Sequence, residues 1–189
     1  MKQAAAATDE KHPINIVQFA NSTLLDENGL EVKLGSLWRE RTILFVFLRH
    51  FGCVSCRSHA VEVWSQREKY EKGGARIVFV GNGSPHFIGV FKADLQLDGA
   101  PVYTDPSLTS FRAAGFKRGF LLALGPQALA NGLHMLAKGY RQGPMDKATG
   151  DLWQLGGLVV IKPGGRIAYH YISLVMGDYA PEKDLKNFE

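Results

Sequence analysis

The sequence predicts a single α/β domain built on a mixed central sheet flanked by helices, and two observations carry that prediction. The apolar runs TILFVFLRH (42–50) and ARIVFVG (75–81) read as strands buried on both faces, and a helical pattern joins them. GGLVVI (156–161), the turn KPGG and RIAYHYI (166–172) read as a β-hairpin. A strand–helix–strand crossover requires parallel pairing with a right-handed connection, whereas a hairpin requires antiparallel pairing. Both in one chain make the sheet mixed.

Residues 1–13 read as a flexible arm ahead of a domain spanning 14–189. INIVQFA (14–20) reads as a first strand, and LLDENGLEVKL (24–34) as a hairpin turning at Asn28-Gly29. After the first buried strand come Gly52 and a helix whose Cys56, Ala60, Val63, Trp64 and Tyr70 fall close to one face. Gly73-Gly74 ends that helix. Beyond the second buried strand, the loop NGSPH leads into a helix over about 86–97. APVYTDP (100–106) follows as a short strand, and SLTSFRAAG (107–115) as a short helix capped by Ser107. The glycine-rich segment 116–150 reads as an insertion with one helix near PQALANGLHMLAKG, and a closing helix falls near 181–188.

Composition narrows the function classes. The chain has 189 residues, 46% apolar and 21% charged, as expected of an ordinary folded domain. Its net charge of +4 comes from scattered lysines and arginines rather than a basic patch, which argues against nucleic acid as partner. The opening MKQAAAATDEKHP lacks the apolar core of a secretory signal. The longest apolar run, TILFVFL (42–48), is far shorter than the roughly 20 residues of a membrane span. The expected compartment is a reducing cytoplasm, where a cysteine pair points to catalysis or metal binding rather than to a structural staple.

The only two cysteines stand in RHFGCVSCR (49–57) as Cys53-x-x-Cys56. That spacing puts one sulfur at the first turn of a helix and the other one turn later on the same side. A helix N-terminus favours negative charge, and Arg49, His50, Arg57 and His59 are nearby cations that lower a thiol pKa. His50 is also a candidate general base. A zinc site needs four ligands, and the chain has neither a second cysteine pair nor a suitably placed histidine pair. Two inert buried thiols are the remaining plain alternative. A C-x-x-C beside a βαβ unit is the pattern of a dithiol redox centre. VGNGSPHF (80–87) has His86 where a dinucleotide fingerprint needs its third glycine, and KPGGR (162–166) lacks the G-K-[ST] of a phosphate loop.

LFVFLRHFGCVSCR, GFKRG, GDLWQLGGLVVIKPGGRI and GDYAP together resemble the peroxiredoxin-like 2 family, from about residue 24 to 185. This group is related to alkyl hydroperoxide reductase and thiol-specific antioxidant proteins and includes prostamide/prostaglandin F synthase. The resemblance implies a thioredoxin-like fold with an inserted segment before the C-terminal hairpin. It implies a thiol–disulfide oxidoreductase that reduces peroxides or protein disulfides with the Cys53–Cys56 dithiol. A bound cofactor is not implied; an external reductant such as thioredoxin or glutathione is. Reduction of lipid endoperoxides or hydroperoxides is the alternative, with Phe51, Phe116, Phe120 and Leu121 as pocket candidates. A redox sensor without catalysis is a third.

Against the P-x-x-x-T-x-x-C pattern of typical peroxiredoxins, Arg49 takes the proline position, Cys53 the threonine position and Cys56 the peroxidatic position. Gly156 stands where those enzymes place an arginine, and Gly157 where thioredoxins place a cis-proline. Thioredoxin logic makes Cys53 the attacking thiolate, whereas peroxiredoxin logic makes it Cys56. The same alignment puts Gln154 beside the sulfurs as a hydrogen-bond donor, next to Trp153.

Overall fold

The computed structural model of the chain describes residues 14–143 and 147–188, so the expected N-terminal arm lies outside the described residues. Seven strands form one sheet: β1 (Thr23–Leu25), β2 (Glu31–Lys33), β3 (Thr42–Phe47), β4 (Ala75–Gly81), β5 (Val102–Thr104), β6 (Gly157–Lys162) and β7 (Arg166–Ile172). Their order across the sheet is β2-β1-β5-β4-β3-β6-β7. β3 pairs parallel with β4, with Phe47 opposite Val80, and β4 pairs parallel with β5. β3–β6, β6–β7, β1–β2 and β1–β5 are antiparallel. The sheet is mixed as the crossover and the hairpin required.

β3 is central because its side chains are apolar on both faces. Leu44 and Val46 enter one buried cluster together with Cys53, Cys56, Phe79 and Phe91. Ile43, Phe45 and Phe47 enter the opposite cluster with Phe19, Trp38 and Phe111. Alternation along one strand therefore feeds both layers.

The segment 14–20 corrects the expectation of a strand. Residues Ile16–Asn21 form helix α1, because Asn15 caps it by accepting a hydrogen bond from Gln18 N at 3.0 Å. Phe19 is driven into the sheet, where its ring lies 6.1 Å from both Trp38 and Phe45. Ile16, Phe19 and Ala20 share a helical face, which the alternation of Ile14 and Ile16 disguised. The turn at Asn28-Gly29 forms as expected, with Asp26 Oδ1 accepting from Asn28 N and Leu30 N.

After β3 the expected single helix is two, α2 (Val54–Ser65) and α3 (Arg67–Lys72), broken at Gln66. Gly74, at φ +79°, closes α3 in a backbone conformation that favours glycine. α4 (His86–Leu95) and α5 (Thr109–Ala113) follow. Ser107 Oγ accepts from Thr109 N at 3.3 Å, but the stronger cap of α5 is Asp105, whose carboxylate accepts from Ser110 N at 2.7 Å. The carboxylate's charge makes it the better acceptor for an orphan amide.

The insertion also holds two helices where one was expected, α6 (Phe120–Leu124) and α7 (Pro126–Ala137). Phe120–Ala137 reaches a mean hydropathy of 1.2 over 18 residues, but it is neither a continuous apolar run nor one unbroken helix. Extended backbone at Gly125 divides the stretch, and α7 packs on α2. The closing helix forms where expected, as α8 (Glu182–Leu185) continued by a 3-10 turn over Lys186–Phe188.

Candidate active site

β3 ends at Phe47, and the chain turns through residues 48–52 before α2 begins, with Cys53 as its N-cap residue. This turn places both cysteines at the C-terminal end of the parallel strands, with the positive end of α2 behind them. The backbone N–H of Arg49 donates to Cys56 Sγ at 3.2 Å, and Arg49 Nη1 lies 3.5 Å from Cys53 Sγ. Both thiols are free and buried, 1% and 6% exposed.

The two sulfurs titrate as a pair. Cys53 is lowered to about 6, chiefly because the Cys56 thiol donates to it. Burial opposes this, while the Arg49 guanidinium and the amides of Cys56 and Ser55 support it. Cys56 is pushed well above the ordinary thiol value by burial first and by the charge on Cys53 second. The pair thus shares one proton between the two sulfurs, with burial favouring it on Cys56 and the Arg49 charge and helix-start amides favouring negative charge on Cys53.

Arg49 is held from several sides. Its Nη2 donates to Leu152 O and its Nη1 to Met176 Sδ. Its carbonyl accepts from Asn82 Nδ2 at 2.7 Å, and Asn82 Oδ1 in turn accepts from Asp151 N at 2.8 Å. Gln142, from the insertion, caps the start of α2: its Oε1 accepts from Val54 N at 3.2 Å and its Nε2 donates to Gly52 O. Neither Asn82 nor Gln142 was singled out from the sequence. Asn82 had a usable signal, as the first residue past a central parallel strand, where sites gather. Gln142 sits in an irregular glycine-rich stretch with no periodicity to read.

Several expected supporters stand elsewhere or act differently. Arg57 does not reach the sulfurs; its guanidinium pairs with Asp94 at 3.0 Å, so Arg49 is the cation of the site. His50 is not a cation or an effective base near neutral pH, because burial and then the Arg49 charge lower it to about 3. His59 is lowered to about 4 by burial and stacks on Tyr179 with ring centroids 3.9 Å apart. Gln154 turns its Nε2 to the carbonyls of Lys117 and Leu155, which corrects its expected place as a donor to sulfur. Trp153 packs on Phe120 at 5.0 Å.

The four pocket candidates do not share one pocket. Phe51 packs on Phe91 beneath the sheet face that carries the cysteines, and Phe116 lies in the opposite cluster with Phe47 and Phe111. Phe120 and Leu121 are 60% and 74% exposed.

Gly156 and Gly157 lie where the strand must run against the active-site strand. A Cβ on Gly156 would stand 1.8 Å from Phe47 O, and one on Gly157 2.2 Å from Tyr171 O. No side chain fits at either position, so this chain supplies no arginine there. Beside them is a cavity of about 20 Å³ lined by Arg49, Cys56, His59, Gly156, Gly157 and Tyr179, among others. That volume accommodates a group the size of water or little more. Among the described residues no cluster of three His, Cys, Asp or Glu side chains is placed to hold a metal ion.

Comparison with known proteins supplies the family. The family model described as AhpC/TSA antioxidant enzyme matches residues 62–173, starting just after the cysteine pair. Prostamide/prostaglandin F synthase of Salmo salar is 32% identical over 179 residues, covering 91% of this chain and 86% of the relative. The Homo sapiens protein of that name is 35% identical, covering 83% and 79%. The Arabidopsis thaliana thioredoxin-like protein AAED1, chloroplastic, is 31% identical, covering 86% and 67%. In fold, the chain matches peroxidoxin BcpB from Mycobacterium tuberculosis with a TM-score of 0.62 at 16% identity, covering 88% of this chain and 90% of that one. It matches PrxQ from Xylella fastidiosa with a TM-score of 0.61 at 13% identity, covering 90% and 87%. On this sequence similarity and this thioredoxin-like architecture, the chain belongs to the AhpC/TSA antioxidant enzyme family of peroxiredoxin-like, thiol-dependent oxidoreductases.

Proposed function

We propose that this protein reduces peroxides with the Cys53–Cys56 dithiol, cycling between dithiol and disulfide. The observation that carries the reading is the double engagement of Arg49, whose amide N–H and guanidinium address one sulfur each at the start of α2. Charge on sulfur is stabilised there before any substrate arrives.

The step balances without a bound cofactor. A thiolate attacks one peroxide oxygen, the O–O bond breaks, and the leaving oxygen takes a proton to become an alcohol or water. The resulting sulfenic acid is attacked by the second sulfur, which releases water and leaves a Cys53–Cys56 disulfide. An external dithiol of the thioredoxin type, or glutathione, returns the pair to the reduced state by exchange. The working compartment under this reading is the reducing cytoplasm.

A second reading rests on the relatives named prostamide/prostaglandin F synthase. There the same dithiol cleaves a lipid endoperoxide, giving two hydroxyls and the same disulfide. Turnover with hydrogen peroxide, cumene hydroperoxide and a prostaglandin endoperoxide, each with thioredoxin as donor, separates the two. Mass spectrometry of wild type, Cys53→Ser and Cys56→Ser after a peroxide pulse supplies the mechanistic test. A 53–56 disulfide in wild type, and a sulfenic acid in one single variant, is the expected result. Absence of that disulfide after hydrogen peroxide, cumene hydroperoxide and diamide alike would remove the dithiol reading and leave a non-catalytic role.

A further inference from the structure

The cavity at Cys56 contains hydrogen-bond donors that the fold itself does not use. Of the three hydroxyls along its wall, Tyr171 Oη donates to Asp178 Oδ1 at 2.5 Å and Ser173 Oγ donates to Asp178 O at 2.7 Å. The third, Tyr179 Oη, is buried without a well-formed hydrogen bond, its nearest hydroxyl being the equally buried Ser55 Oγ. Arg49, which also lines the cavity, keeps its Nε–H buried and unpartnered. Buried donors of this kind cost about 1–3 kcal/mol each when left unmade, and two of them, on Tyr179 and Arg49, belong to residues that line this one small space, which suits a ligand with oxygen acceptors.

The ring of Tyr179 is fixed in place by its stack on His59, 3.9 Å between centroids and 8° from parallel. His59 is neutral, so this contact holds the phenol without competing for its proton. Burial first, and then the negative charge of the cysteine pair, keeps the phenol protonated well above its usual pKa, against an opposing contact from Ser55. A hydroxyl that stays protonated beside a nucleophilic sulfur is a donor at every working pH. GDYAP (177–181), which places Tyr179 here, has no other assignment in the site.

We infer that Tyr179 is a catalytic residue: its Oη–H donates to the leaving oxygen of a small peroxide held in the cavity against Cys56 Sγ, with Arg49 Nε–H as the second donor. The inference rests on the peroxide-reducing reading above. In this step Cys53 sulfur accepts the Cys56 proton, and Cys56 sulfur bonds to the distal oxygen. The O–O bond breaks, and the electron pair leaves on the proximal oxygen, which Tyr179 holds and protonates before regaining a proton from solvent. Cys53 then gives up its proton and attacks Cys56 sulfur, releasing hydroxide, which becomes water with that proton. The volume of about 20 Å³ selects hydrogen peroxide or a short alkyl hydroperoxide whose chain projects through the opening.

The test compares wild type with Tyr179→Phe, which keeps the stacked ring and removes only the hydroxyl. The rate of 53–56 disulfide formation is measured with hydrogen peroxide, and in parallel with diamide, a thiol oxidant without a peroxide bond. The expected result is a peroxide rate lowered on the order of 10²-fold, as for loss of one transition-state donor, with the diamide rate unchanged. In Cys53→Ser, a peroxide pulse followed by dimedone should label Cys56. An undiminished peroxide rate in Tyr179→Phe overturns the inference while leaving the dithiol reading intact. Equal loss with peroxide and diamide overturns it as well, since the hydroxyl would then serve the fold or the dithiol in general. Failure of wild type with both oxidants overturns the dithiol reading itself.

Discussion

The backbone N–H of Arg49 donates to Cys56 Sγ across 3.2 Å, so the residue that follows the central strand by two positions fixes a sulfur one turn into the next helix. A backbone donor cannot be removed by substituting its own side chain. The guanidinium, by contrast, lies 3.5 Å from Cys53 and its charge lowers both thiols. Substitution at Arg49 therefore removes that charge while keeping the amide bond to Cys56, and the pH dependence of thiol reactivity is where this should be read.

With Cys53 lowered to about 6, iodoacetamide labelling of Cys53 should rise to a plateau above pH 6 and fall about tenfold per unit below it. The sign follows from the thiolate being the reactive form and existing above the pKa. Arg49→Met should move this midpoint upward, because one stabilising charge is lost. Arg57→Ala should leave it where it is, since that guanidinium is engaged by Asp94. Equal shifts in the two variants would show that the net charge near α2, rather than Arg49 itself, sets the thiol.

Gly156→Ala should cost about 3 kcal/mol or more, because its Cβ would stand 1.8 Å from Phe47 O in the paired backbone of β3. Gly89→Ala is the control. Gly89 lies inside α4 with nothing within 4 Å of an added Cβ, so that substitution should stabilise by roughly 0.5–1 kcal/mol. Urea denaturation measures both. Similar behaviour of the two variants would mean that β6 can shift away from β3 at little cost.

The contrast between these glycines also explains how much was legible in the sequence. β3, β4 and the late hairpin were readable because long apolar runs with defined ends leave few alternatives. The cysteine spacing marked the site for the same reason, since local geometry alone puts both sulfurs on one side of a helix start. What side chains do at longer range was not readable. Arg57 sits beside a cysteine in sequence but pairs with Asp94 on another helix, and Gln154 folds back on Lys117 and Leu155. Tyr179, Asn82 and Gln142 reach the site from three distant loops, and no local period encodes where separate loops converge.

Asn82 joins the Arg49 carbonyl to the Asp151 amide, a buried bridge between the cysteine loop and the segment before β6. Asn82→Ala leaves both backbone groups without that partner, so a loss of about 2–4 kcal/mol is expected for the two. Asn82→Asp should restore the acceptor for Asp151 N but not the donor to Arg49 O, and should fall between. Thermal and urea unfolding with intact m-values would give the ranking. Equal stability of Asn82→Ala and wild type would show that water replaces the bridge.

Gln142 tests whether the insertion controls the start of α2. Its amide satisfies Val54 N–H, which helix geometry leaves without an internal partner, and also donates to Gly52 O in the turn before the helix. Gln142→Ala should cost about 1 kcal/mol, in the range of a lost cap. The loss should be local: amide hydrogen exchange at Val54 should speed severalfold, while Ile77 in the middle of β4 exchanges at a rate set by global unfolding. Unchanged exchange at Val54 would show that Gly143, whose N–H also donates to Gly52 O at 2.9 Å, holds the loop without help from the side chain.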